Sequence, residues 1–183
     1  MKLPTNLKNR TRTYFRVAAS LLVTLTLSTW NSRSAHAESG PQIKLDASGA
    51  APRTIEDETQ QAVVRDYARA WNDLSRAFEF SSPGLLDGYF VSTARTQLGS
   101  AVKDQMRAKL VTHYSAQDHN LKAVFYSPEG DVLELHDSVR MTVSLTDGGK
   151  GIAEQSETRN YVVLMTPGAD RWVIRQLQQV QQF

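Results

Sequence analysis

Leu133-Glu134-Leu135-His136-Asp137-Ser138-Val139-Arg140-Met141-Thr142-Val143-Ser144-Leu145 is the stretch on which the fold turns. Apolar side chains stand at 133, 135, 139, 141, 143 and 145, and Glu134, His136, Ser138, Arg140, Thr142 and Ser144 fill the places between. A period of two is that of a strand with one face buried and one wet. The run, taken from Val132, therefore predicts a long strand in an antiparallel sheet that buries its apolar face against another layer. Asp137 interrupts that apolar face, and two readings of it stand open. On strict alternation it points inward, where apolar surroundings disfavour its charged form and suit it to act as a general base. A bulge at His136-Asp137-Ser138 in so long a strand turns it outward instead.

Further strands flank this one. Leu121–Tyr126 precedes it across the turn Pro128-Glu129-Gly130, and Gln155–Thr166 follows across the hairpin loop Asp147-Gly148-Gly149-Lys150-Gly151. Arg171–Val180 comes last, after Pro167-Gly168-Ala169-Asp170. Each connection is short enough for antiparallel neighbours.

Before Asn120 the period is helical. Val64, Tyr67, Trp71, Leu74 and Phe78 recur at steps of three and four, placing them on one stripe of a helix that starts after an N-cap at Thr54 and runs to about Glu79. Arg65, Asp66, Arg69, Asp73 and Arg76 mostly take the opposite face. Ser81-Ser82-Pro83-Gly84 stops it, and Leu85, Leu86, Tyr89 and Phe90 suggest a short helical turn. Leu98, Val102, Met106 and Leu110 then define a second long helix from about Thr93 to near Tyr114. Helices first and an antiparallel sheet second make an α+β domain, with N-terminal helices packed on a curved antiparallel sheet and a hollow at its wide end.

Those residues resemble the nuclear transport factor two-like superfamily, a cone-shaped fold shared with ketosteroid isomerase-like and polyketide cyclase-like proteins. The carriers are Val64-x-x-Tyr67-x-x-x-Trp71-x-x-Leu74 and the terminal hairpin Tyr161-Val162-Val163-Leu164-Met165 with Gly168-x-x-x-Trp172-Val173-Ile174. Leu86-Asp87-Gly88, leading into the second helix, is similar to the version at the end of plastid and cyanobacterial division proteins. The resemblance spans roughly Ile55 to Val180 and implies a shape rather than a reaction.

The leading end of the chain speaks to location. Residues 1–37 hold six of the 21 Lys and Arg and none of the 19 Asp and Glu. They run through the mostly apolar Val17–Trp30 to Ala35-His36-Ala37, the form of a cleavable signal peptide whose small residues Ala35 and Ala37 fit the peptidase. An apolar run this short, broken by Ser20, Thr24, Thr26, Ser28 and Thr29, falls below the roughly 20 residues of a spanning helix. The alternative is an uncleaved anchor. Cleavage after Ala37 leaves 15 basic against 19 acidic groups, a net of −4, so the mature chain is not built to condense on nucleic acid or an anionic bilayer. Membrane contact is then confined to the leader, and the expected location is periplasmic or secreted. Residues 38–53, interrupted by Gly40-Pro41, Gly49 and Pro52, read as a flexible linker, leaving 54–183 as one domain. The chain has no Cys, which excludes disulfides and thiol catalysis.

No catalytic constellation stands above chance. His113, Asp118 and His119 lie close in sequence, with His136 as a distant fourth, but a spacing of six does not put two His on one helical face, and no metal or other cofactor is expected. His113 fits a helix end and His119 the loop after it. Ser138 beside His136 and Asp137 lacks a nucleophile elbow, and Gly148-Gly149-Lys150-Gly151 is a hairpin turn rather than a phosphate loop. Tyr67, Trp71, Tyr89, Phe90 and Met106 are candidate lining for a ligand pocket, with plain core packing as the rival. The glutamine-rich tail Gln176–Phe183 either frays or extends the last strand. The expected function is that of an exported, non-enzymatic binding or scaffold module that takes a protein partner or a small apolar ligand, with a homodimer through the exposed sheet. The alternative is a small isomerase, dehydratase or cyclase with Asp137 as general base and Tyr67, Tyr89 or Tyr161 as donor.

Overall fold

In the computed structural model, which describes residues 40–183, the alternating stretch is one strand, β3 (Leu133–Asp147), and Asp137 stays on its buried face. Register with both neighbours runs unbroken through Asp137, which stands opposite Leu121 on one side and Tyr161 on the other. The outward-turning bulge is thus corrected: the inward reading holds. Bulges occur instead at Ala123/Phe125, at Ser115/Asp118 and near the hairpin tip at Leu145/Thr146.

The elements run β1 (Gln42–Asp46), α1 (Asp57–Glu79), a 3-10 helix (Pro83–Gly88), α2 (Ser92–Ala108), β2 (Leu110–Tyr126), β3, β4 (Lys150–Pro167) and β5 (Trp172–Val180). The five strands form one sheet in the order β1-β2-β3-β4-β5, mixed but mostly antiparallel, and the helices cover one face of it. This is the expected α+β architecture, helices first and a mostly antiparallel sheet second.

Three sequence expectations need correction. Residues 38–53 carry strand β1, which pairs parallel with β2 and tucks Ile43 and Leu45 against the core. A five-residue strand with two inward side chains gives too short a pattern to stand out from a linker. The first helix begins at Asp57 rather than behind Thr54: Ile55 is already buried, and Arg53 holds Glu56 at 2.7 Å at the helix entrance. The second helix ends at Ala108, because Lys109 adopts the left-handed conformation at φ 57° and closes it, its N–H bonding back to Gln105 and Met106. Leu110–Tyr114, read as helix, are therefore the start of β2, where Gln105 Oε1 accepts the Thr112 N–H at 3.1 Å.

That shift turns α2 on its axis. Ala94, Gly99, Val102 and Gln105 face inward, and Met106 is 48% exposed. In α1, Tyr67, Trp71, Leu74 and Phe78 are buried as expected, with Val63 in place of Val64. Asp66, expected on the wet face, is buried: its Oδ2 accepts the Trp172 N–H at 2.8 Å, while Arg65 holds its carboxylate at 2.9 Å. The bond ties the central helix to the first residue of β5 and satisfies a buried N–H that would otherwise cost about 1–3 kcal/mol.

Candidate functional site

Asp137 sits at the centre of a closed polar knot. The Tyr67 hydroxyl, from α1, donates to Asp137 Oδ2 at 2.8 Å, and His119 Nδ1, from β2, meets the same oxygen at 2.7 Å. Two donors on one oxygen suit a carboxylate acceptor and the Nδ1-protonated tautomer of His119. All three side chains are fully buried. Burial, reinforced by the Asp137 charge, pushes the Tyr67 phenol well above its ordinary pKa, so it remains a proton donor.

Trp71 closes the knot. Its ring lies 4.6 Å from the His119 ring and 5.6 Å from that of Tyr161, and it is itself only 1% exposed. Trp71 Nε1, His119 Nε2 and Asp137 Oδ1 are buried without hydrogen-bond partners. A histidine oriented by a carboxylate and left with a bare Nε2 has the composition of a general base. A base must reach a proton on its substrate, and here neither ring nor carboxylate touches solvent or an internal space that admits water.

The open space lies on the other side of Trp71. A cavity of about 270 Å³ is lined by Trp71, Leu74 and Phe78 of α1, Gln97, Leu98 and Ala101 of α2, Tyr114 of β2, Arg159 and Tyr161 of β4, and Leu177 and Gln179 of β5. Its walls are mostly apolar. Tyr114 and Tyr161 have their phenols pushed up by burial, with the neighbouring Arg159 pulling the other way, and both stay protonated at neutral pH.

Of the five side chains expected to line a pocket, Trp71 alone lines this cavity. Tyr67 belongs to the knot. Tyr89 and Phe90 pack at the junction of the 3-10 helix and α2, where Phe90 bridges to Ile174 and Arg171 lies over the Tyr89 ring. Met106 points to solvent because α2 ends early. His113, Asp118 and His119 all lie on β2 rather than at a helix end and loop. Among the described residues no group of three His, Asp or Glu could hold a metal ion. Tyr114 and Arg159 are site residues the sequence did not single out, and His119 was weighed there only as a metal ligand. Alternation carried back from Leu121 to His119, and along β4 from Tyr161 to Arg159, is the signal that would have found His119 and Arg159.

No protein-family model and no curated protein matches the chain. Solved structures do. The intermembrane space region of the chloroplast protein ARC6 superposes with a TM-score of 0.57 at 13% identity, over 70% of this chain and 98% of that one. The Kfla4162 protein of Kribbella flavida gives 0.47 at 14% identity over 68% and 92% of the two chains, and ActVI-ORFA of Streptomyces coelicolor 0.44 at 11% over 67% and 98%. The superposition on the ARC6 region shows the fold, the nuclear transport factor two-like α+β arrangement. The fold is shared by binding modules and small enzymes, and at these identities the likeness is one of shape.

Proposed function

We propose that this chain is an exported, non-enzymatic binding module that takes a small apolar ligand in the hollow between its helices and sheet. One observation carries the reading. Trp71 stands between a fully buried polar knot and an open cavity whose walls are mostly apolar. At about 270 Å³ the cavity lies just under the usual range of ligand sites, which suits a small ligand. Export rests on the leader, residues 1–37, which lies outside the described residues. Among the described residues no helix is long and apolar enough to cross a membrane. The outer sheet face, where a homodimer would form, carries the Phe183 ring stacked on His136 at 4.3 Å, so pairing there must first displace the tail.

Native mass spectrometry of protein taken from its own compartment tests this. The expected mass begins at Glu38 and carries a non-covalent adduct lost on denaturation. A mass beginning at Met1 overturns the export reading. Titration with the neutral fluorescent probe N-phenyl-1-naphthylamine tests the hollow: saturable binding that Leu98→Trp abolishes is expected, and its absence overturns the reading.

The second reading, an isomerase, dehydratase or cyclase with Asp137 as base, is favoured by the inward Asp137 with Tyr67 and His119 on its oxygen. It requires Trp71 to swing away. Acylation by diethyl pyrocarbonate decides: the sealed knot predicts modification of His113 and His136 with His119 protected, and native-state modification of His119 favours the enzyme.

A further inference from the structure

The hollow is mostly apolar and carries a single charge. Arg159 is the sole charged residue in its wall, brought there by β4, where it stands opposite Val139 on the inward face two places along from Tyr161. Its Nε and Nη2 both bond Glu157 Oε1, at 3.0 and 2.6 Å, which fixes the guanidinium plane and leaves Nη1 uncommitted to Glu157. The Tyr114 and Tyr161 phenols lie beside it.

Resting on the reading of the hollow as a ligand site, we propose that the ligand is an amphiphile with an apolar body and one carboxylate, the body against Trp71, Leu74 and Leu98 and the carboxylate against Arg159. A neutral apolar ligand would leave a partly covered guanidinium and two phenols facing hydrocarbon, which disfavours it, whereas a carboxylate accepts from all three. A guanidinium held flat by a neighbour is preorganised to meet carboxylate oxygens side-on. Glu157 already balances the Arg159 charge, so the gain comes from directed hydrogen bonds rather than net attraction. That sets the expected preference for an anion at about tenfold, the low end of what hydrogen bonds to charged groups contribute.

The test uses the mature chain at neutral pH and displacement of N-phenyl-1-naphthylamine by two probes of one chain length, octanoate and octan-1-ol. Octanoate is expected to bind about tenfold more tightly than the alcohol, and Arg159→Gln to bring the two to parity. Equal affinities in the parent, or a preference that survives Arg159→Gln, overturn the proposal while the hollow itself stands. Failure of the dye to bind overturns the hollow and this inference with it. Should Arg159→Gln fail to fold with Glu157 unpaired, the paired variant Glu157→Gln with Arg159→Gln carries the same expectation.

Discussion

Replacing Tyr67 by Phe removes one atom from the centre of the protein and tests whether the knot is structural. The hydroxyl is fully buried and donates to a carboxylate at 2.8 Å, a hydrogen bond to a charged group worth about 1.5–3 kcal/mol. Phe keeps the ring contacts with Trp71 and His119, so little packing is lost. Asp137 Oδ2 keeps His119 as partner while Oδ1 already has none, so the carboxylate is left half-satisfied. The expected destabilisation is about 2 kcal/mol, or roughly 4–8 °C in Tm for a domain of this size. Urea denaturation followed by circular dichroism measures it, and a cycle with Asp137→Asn should show coupling of about 1 kcal/mol or more. A Tyr67→Phe protein within about 0.5 kcal/mol of the parent, or more stable than it, would refute the knot as described.

Three further outcomes follow from other features. Burial raises the pKa of Tyr67, Tyr114 and Tyr161 in the folded state, so the stability this represents is complete below the unfolded phenol pKa of about 10 and is lost as pH climbs through the folded values. Thermal melts should therefore fall steeply in alkali, and less steeply in Tyr67→Phe. The rotation of α2 predicts that Met106→Ala changes stability by less than about 0.5 kcal/mol while Val102→Ala costs about 2 kcal/mol, and equal costs in denaturant titrations would contradict it. Lys109→Gly should stabilise by about 0.5–1 kcal/mol in the same assay, since glycine holds φ 57° without strain, and a loss would show that the helix stops for another reason.

The sheet was legible in the sequence wherever alternation was long. Alternation over thirteen residues of β3 gave the strand and its buried face while leaving Asp137 open between inward and bulged, and the stripe through Tyr67, Trp71, Leu74 and Phe78 placed the helix that meets it. The other half of the knot was hidden by one coincidence. Leu98, Val102, Met106 and Leu110 keep a step of four across a helix end marked by no glycine, because Lys109 takes the left-handed turn. Reading through that end left His119 in a loop and Asp137 without its partner. Asp66 was hidden differently: its helical position is wet by periodicity, and only the arrival of the Trp172 N–H makes it a buried acceptor. Such a partnership is written in tertiary geometry rather than in local pattern.

The same Asp66 bond bears on how the chain reaches its native state. Asp66 and Trp172 are 106 residues apart, and Tyr67 and Asp137 are 70 apart, so the two ties on the central helix close very large loops. Hairpins such as β3 with β4 form from near neighbours, but the helix cannot lock until β5 has been synthesised and brought round. Ties this distant in sequence make the helix's final docking depend on the last strand, so a chain cut short before β5 is expected to lose the Asp66 anchor along with it.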